Sequence, residues 1–291
     1  MKQAKNEVFI EGILAEMDIK TDTSKKDGKE YIRGEVKILV NQMIDNEIIE
    51  SIVPVRMFSM KLKQNGDANP AYEAIEKLQK TFTSAATTGS FENADCVRIT
   101  RGSINENIFV PKGAEVEVSF PEIQANFISK VSQNKLNPLT RFSINIAING
   151  IKEEFKNDEP TGALIVKAGI PQYGDKIDLV DFKVYKDSAK SHIERFWSKG
   201  DTVNIQGYIN FSAKTEFIME ESGFGDPIPV PKTTTIRELI ITSGSQEPFD
   251  VERAYTKEDL NKAVEKRMGL IAELKERAPK TEAPKNDNLG F

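Results

Sequence analysis

The chain has 291 residues, of which 38% are hydrophobic and 29% charged, and its formal net charge is −5 at pH 7. This is the composition of a soluble globular protein with room for two domains, and no apolar run is long enough for a bilayer span or a signal peptide near Met1. The single cysteine, Cys96, excludes an intramolecular disulfide and a multi-cysteine metal site, and it favours a reducing compartment such as the cytoplasm.

The single histidine, His192, limits the enzyme chemistry that the chain could perform. A Ser-His-Asp triad or a histidine-based metal cage would have to use it, yet its neighbours Ser191 and Glu194 indicate the surface of a helix. The sequence also contains no phosphate-cradling Gly-Lys-Ser/Thr loop and no paired-carboxylate motif in a suitable frame. We therefore expect no catalytic residues, no cofactor and no bound metal.

The first half of the chain predicts elements in the order strand, strand, strand, helix, strand, strand. Alternating apolar residues indicate the strands, and Asn69-Pro70 marks the start of the helix. The predicted strands cover 6–18, 31–41, 48–58, 97–104 and 115–120, and the helix covers 70–82. Residues 129–138 are polar and indicate a connection between domains.

The second half repeats this order. Strands are predicted over 141–152, 162–170, 177–185, 203–211 and 237–242, and Asp187 is predicted to cap a helix over 188–199. Trp197 is expected in the core rather than as a platform for stacking. The segment Lys214–Lys232, rich in glycine and proline, predicts a long loop. It would either grip a ligand or be a variable surface loop whose Phe217 packs on its own barrel.

After Gly244 the composition changes. Thr256 and Asp259 have the spacing of a capping box, which predicts a helix to about Ala278 with an apolar stripe along one side. Residues 279–291 are polar and contain two prolines, so we expect them to be disordered. They end in Leu289-Gly290-Phe291, with Asp287 as the only acid among the last six residues.

The stretch Phe196–Phe211 combines a helix end, a Lys199-Gly200-Asp201 turn and a strand, and Arg237-Glu238-Leu239 begins the closing strand. This order resembles the OB fold of bacterial and phage single-stranded DNA-binding proteins, best over 138–245 and less closely over 6–120. The resemblance implies a mainly β fold with two five-stranded Greek-key OB barrels, a C-terminal helix and a disordered tail. The corresponding domains are 1–137, 138–250, 251–278 and 279–291.

The resemblance also implies a function. The chain would bind single-stranded DNA with little sequence preference during replication, recombination or repair, in the cytoplasm of a bacterium or a phage-infected host. In this family a terminal tip docks on replication and repair proteins, and Asp287, Leu289, Gly290 and Phe291 are the similar residues here. A frayed terminus that ends in phenylalanine by chance is the alternative for the tail. A homo-oligomer is compatible with the sequence.

Outward-facing aromatic residues for base stacking and basic residues for phosphates are the candidate DNA contacts. In the first barrel they are Tyr31, Arg33, Lys37, Arg56, Phe58, Arg98 and Arg101, and in the second Arg141, Lys167, Tyr208, Phe217, Phe224 and Arg237. Two other classes stay open. The acidic charge favours an OB-fold structural or assembly protein of a phage or a multiprotein complex. A metal-dependent nuclease is disfavoured by the motifs that the chain lacks.

Overall fold

The computed structural model describes residues 2–112, 114, 116–220, 224 and 228–277, apart from the side chains of 213–217, 228 and 234. Eleven strands, four α-helices and one short 3-10 helix (Gln133–Lys135) lie within this part of the chain. The strands are β1 (Asn6–Thr23), β2 (Glu30–Ile44), β3 (Glu47–Met60), β4 (Cys96–Phe109), β5 (Val118–Gln124), β6 (Ser129–Val131), β7 (Leu139–Lys156), β8 (Glu159–Gln172), β9 (Lys176–Val184), β10 (Thr202–Glu220) and β11 (Ile228–Gly244). The helices are α1 (Pro70–Thr81), α2 (Ala85–Thr88), α3 (Asp187–Phe196) and α4 (Lys257–Arg277).

Two five-stranded barrels share one topology. In the first, β1-β2-β3-β5-β4 follow one another around the barrel, β4 closes it against β1, and β3 and β5 are parallel. In the second, β7-β8-β9-β11-β10 follow the same order, β10 closes against β7, and β9 and β11 are parallel. This is the OB arrangement. The predicted fold class, two OB barrels followed by a helix, is confirmed.

The barrels are joined through their first strands. β1 pairs with β7 in antiparallel register from Asn6 opposite Ile144 to Glu11 opposite Leu139, so all eleven strands form one continuous sheet. A single cluster of buried apolar side chains extends through both barrels. The segment predicted as a connection, 129–138, is partly regular, because β6 pairs with β4.

A buried polar network lies between the barrels. Thr140 on β7 donates its hydroxyl to the Ile209 carbonyl (2.9 Å) and accepts from the Ile209 amide (3.1 Å). From the first barrel, Gln42 donates its side-chain nitrogen to the Thr140 hydroxyl (2.8 Å) and accepts from the Thr140 amide (2.8 Å). Ser51 donates to the same Ile209 carbonyl (3.4 Å). Since every member is buried and paired, the network fixes one barrel against the other.

Two glycines allow strands to approach more closely than a side chain would permit. A Cβ added to Gly207 would collide with the Ile240 carbonyl and the Phe142 ring. One added to Gly12 would collide with the Leu39 carbonyl. Both barrels therefore coil tightly at a position where only glycine fits.

Several predicted elements have different bounds. The loop predicted over Lys214–Lys232 is wrong at both ends, since β10 and β11 continue as a paired ribbon in which Met219 lies opposite Pro229. Its central residues 221–223 and 225–227 lie outside the described residues. The predicted cap Asp187 is wrong as well, because Lys186 is the N-cap and Asp187 is the first helical residue. Trp197 is buried as expected, and its indole donates to the Ser245 carbonyl (3.2 Å). No helix in the described ranges is long and apolar enough to cross a membrane.

Candidate nucleic-acid interface

A groove of about 1340 Å³, called the main groove below, lies on the outer face of the first barrel. Strand alternation turns the odd-numbered residues of β2 outward, and the β2–β3 register places Arg33 opposite Phe58 and Glu35 opposite Arg56. The main groove brings together six of the seven candidates of this barrel. They are Tyr31, Arg33, Lys37, Arg56, Phe58 and Arg101.

Three aromatic rings line the main groove. The Tyr31 and Phe58 ring centroids are 5.8 Å apart at an interplanar angle of 38°, and the Arg33 guanidinium lies 5.6 Å from the Tyr31 centroid. Phe58 is 55% exposed, and its amide donates to Asn126 Oδ1 (3.1 Å), which holds the backbone in place. Phe127, the third ring of the lining, is 50% exposed. Rings this exposed are suited to stacking on flat ligands.

Most cations of the main groove already have a carboxylate partner. The pairs are Lys37–Glu16 (2.6 Å), Arg56–Glu122 (3.0 Å), Lys20–Asp18 (3.2 Å) and Arg33–Asp22 (3.5 Å). The hydrogen bond to Glu16 raises the pKa of Lys37. The side chain of Arg101 makes no ion pair or hydrogen bond with any residue in the described ranges. An anion in the groove would therefore meet one unpaired guanidinium and would have to exchange with carboxylates at the other sites.

The seventh candidate residue of the first barrel and the described candidate residues of the second barrel do not line the main groove. Arg98 lies outside the main groove, with Nε 2.6 Å from Glu11. Arg141 stacks its guanidinium on Phe9 (5.3 Å), Tyr208 is half-buried, and Phe224 is 98% exposed. The side chain of Phe217 and the tail residues Asp287, Leu289, Gly290 and Phe291 lie outside the described residues.

Lys167 and Arg237 line a smaller groove of about 410 Å³ on the second barrel. On the second barrel it lies at the position equivalent to that of the main groove on the first. Its lining also includes Phe120 and Pro121 of β5 and Arg267 of α4. Its carboxylates are Glu106, Glu154, Asp181 and Glu238. A cleft of about 100 Å³ adjoins both grooves, because it is lined by Arg56 of the main groove and by Arg237 of the smaller one. The second barrel therefore offers a smaller face, with as many acids as bases.

Arg267 ties α4 across the small groove. Its Nε donates to Glu106 (2.9 Å), and Glu106 also accepts from the Leu179 amide (2.9 Å). Lys275 of the same helix pairs with Glu117 (2.8 Å). Both acids belong to the first barrel, and Lys266 pairs with Asp175 of the second (3.3 Å). α4 therefore contacts both barrels through charge, in addition to burying Ala263 and Ile271.

Asp178, beside this contact, gives a testable pH dependence. Burial raises the pKa of Asp178 to about 6, against the opposing effect of hydrogen bonds that the Glu106 backbone and the Gln172 side chain (2.9 Å) donate to the carboxylate. The folded state therefore binds this proton more tightly than the unfolded chain. The stability that this tighter proton binding contributes is complete below the pKa that Asp178 has in the unfolded chain. It is lost as the pH rises towards 6. We expect Asp178→Asn to stabilise the fold at pH 7.5 by about 2 kcal/mol.

The measurement is urea unfolding of both proteins at pH 7.5 and at pH 4.5, where the advantage of the variant should shrink. Asp181→Asn is the matched control, because Asp181 is an exposed aspartate on the same strand. An equal effect of Asp178→Asn at both pH values would contradict the burial of a charge at this position.

Sequence reasoning missed three groove residues. Phe127, Asn126 and Lys20 line the main groove, but neither aromatic spacing nor charge singled them out. Phe127 follows β5, which runs through Pro121 to Gln124, whereas the strand was predicted to end at Phe120. The apolar alternation resumes after that proline, at Ile123 and Ala125, and it was the signal that could have extended the strand.

Comparison with known proteins gives a family and a fold. The model of the YorF family matches residues 5–277. A sequence search of curated proteins finds no match. Two solved structures of the single-stranded DNA-binding protein from Thermus aquaticus are similar. A deletion mutant has a TM-score of 0.53 and 11% identity, covering 89% of this chain and 100% of that one. The wild type has a TM-score of 0.51 and 10% identity, covering 88% and 99%. At such identities the similarity establishes the OB architecture.

Proposed function

This chain belongs to the YorF family, and from that starting point we propose that it binds single-stranded DNA with little sequence preference in the main groove. The observation that carries the proposal is the ring pair of half-buried Tyr31 and exposed Phe58, which lines the main groove together with arginines. Rings for stacking and cations for phosphates are the two components of sequence-tolerant single-strand binding. The similar fold of a protein named for single-stranded DNA binding supports it.

Each component has a defined part in the mechanism. Bases stack on Phe58 and Phe127, which accept any base because every base has a flat face. Arg101 takes the first phosphate, since it has no acidic partner in the described ranges. Arg56 and Lys37 then exchange their carboxylates for phosphates, which makes binding sensitive to salt. Duplex DNA offers no free base faces and is excluded from the stacking sites.

The proposal extends to a biological role. We propose a binding protein rather than an enzyme, acting in replication, recombination or repair in a bacterial or phage setting, within the cytoplasm. Partners would be replication or recombination proteins captured by the terminal Leu289-Gly290-Phe291 tip. Deleting the last six residues should then leave DNA affinity unchanged and abolish partner capture.

An assembly protein is the second candidate, and the ion pairs of the main groove favour it. Four of its cations are already neutralised, and the net charge of the chain is −5. Such a protein would use the same face against another protein, and it would show no salt-sensitive binding to oligonucleotides.

Fluorescence anisotropy decides between the two. A labelled oligo-dT and a duplex of matched length are titrated with the protein at low and high salt. We expect tight binding to the single strand, weakened by salt, and little binding to the duplex. A folded protein that binds neither would overturn the proposal and favour the assembly protein.

Arg101 supplies a specific prediction. Arg101→Glu should weaken oligo-dT binding by about five- to tenfold and reduce the slope of log affinity against log salt by about 0.7, the value of one single-strand phosphate contact. The charge-matched control is Arg195→Glu, an exposed arginine on α3 that lines no part of the main groove. A loss of affinity without a change in slope would argue that Arg101 does not contact a phosphate.

A further inference from the structure

A third groove, of about 580 Å³ and called the α1 groove, adjoins the main groove at Phe127. It lies between α1, β4 and β6. Three cations line it, Lys77, Arg98 and Lys130, and none of the described residues around it contributes a carboxylate. The main groove, by contrast, is lined by four carboxylates. A surface whose charged residues are all basic, on a chain with net charge −5, is suited to binding a polyanion.

Two of these cations are fixed in position by carboxylates that do not line the α1 groove. Arg98 donates through Nε to Glu11 (2.6 Å), and Glu11 is only 4% exposed and does not line the groove. The hydrogen bond from Arg98 lowers the pKa of Glu11, which stays ionised as an anchor. The terminal guanidinium nitrogens of Arg98 make no hydrogen bond within the described ranges. A planar donor pair therefore remains available to a phosphate.

Lys130 is positioned similarly. Its ammonium lies 2.7 Å from Asp95 and 4.8 Å from the centre of the Phe82 ring. Lys77, on the exposed side of α1, makes no ion pair with any residue that the structure describes. The α1 groove thus combines one unpaired ammonium with two cations that are fixed in position.

Phe127 joins the two grooves. Its ring is half-exposed and lines both of them, so a ligand leaving the main groove at this end passes the ring before it meets Lys130 and Arg98. A chain of stacked bases and regularly spaced phosphates fits this succession of ring and cations, whereas a compact anion would use only one part of it.

We infer that single-stranded DNA bound in the main groove continues past Phe127 into the α1 groove, where Lys77, Arg98 and Lys130 bind its phosphates. This inference rests on the proposed function and extends it. It implies that affinity rises with oligonucleotide length in two stages. The second stage should add to the salt sensitivity, with up to three further phosphate contacts and a slope of log affinity against log salt that is steeper by about 2.

The test is a length series of oligo-dT against the full chain and the variant Lys77→Gln/Lys130→Gln. We expect the variant to bind the shortest oligonucleotides that bind the wild type with unchanged affinity. Binding of long ones should weaken by about tenfold, with a salt slope reduced by about 1.4. The matched control is Lys186→Gln/Lys199→Gln, which removes two exposed lysines around α3. Thermal melting of each variant verifies folding.

The outcomes separate this inference from the proposed function. Wild-type binding to short oligo-dT, combined with equal affinity of variant and wild type at every length, would overturn the α1 groove alone. Equal weakening at every length would also overturn it, because the lysines would then act on the main groove. If the wild type binds no oligo-dT of any length, the proposed function fails and the inference fails with it.

Discussion

Replacing Phe58 with alanine is expected to weaken oligo-dT binding by about ten- to a hundredfold, because stacking on one aromatic ring contributes about 1–3 kcal/mol per base. Phe58 is the most exposed ring of the main groove, and it lies between Tyr31 and the Asn126 contact that holds its backbone. The loss should appear at low and high salt alike, since stacking releases no counterions. Anisotropy titrations at two salt concentrations measure it.

Two controls make this prediction specific. Phe58→Tyr keeps the ring and should retain most of the affinity. Phe155→Ala removes a ring of similar exposure, 59%, on the second barrel, where it lines none of the grooves described above, and should change nothing. Unchanged binding by a folded Phe58→Ala protein would show that bases do not stack in the main groove.

Replacing Thr140 with valine is expected to lower the free energy of unfolding by about 2–4 kcal/mol. Valine has nearly the shape of threonine, so the core volume is kept, but the hydroxyl between Gln42 and Ile209 is lost. The buried amide of Ile209 then loses this acceptor, and the side-chain nitrogen of Gln42 keeps only its longer contact with the Ile209 carbonyl (3.5 Å). An unsatisfied buried group costs about 1–3 kcal/mol. Chemical denaturation followed by circular dichroism provides the measurement.

Thr140→Ser is the matched control, since it keeps the hydroxyl and removes only a methyl group. It should cost about 1 kcal/mol, the value of one buried methyl or methylene group. If valine and serine destabilise the fold equally, the network contributes no more than packing does, and the orientation of the barrels must depend on the β1–β7 pairing instead.

The groove of the first barrel could be predicted because strand alternation is a local signal. Tyr31, Arg33 and Lys37 follow one another at every second or fourth position of β2, and their outward orientation needs no knowledge of other elements. The same rule applied to Lys167 gave the correct strand face, but that face meets β5 and α4. Alternation distinguishes the two faces of a strand, and it does not identify what covers the outer one.

The ribbon of β10 and β11 shows a second limit. Glycine and proline between 223 and 231 predicted a loop, since proline removes a donor from the strand ladder. Pro229 and Pro231 are two residues apart, so their nitrogens lie on the same side of β11, and the intervening Val230 can still pair with Ile218. The spacing of prolines, rather than their number, decided whether a strand could form.

The pairing of β1 with β7 has a consequence for any attempt to separate the barrels. Dividing the chain after residue 137 would leave two open strand edges, Asn6–Glu11 in one half and Leu139–Ile144 in the other. Both segments are rich in apolar residues, and an exposed apolar edge is a template for self-association and aggregation. Isolated halves should therefore precipitate or pair with copies of themselves, and mixing the two halves during refolding should rescue their solubility.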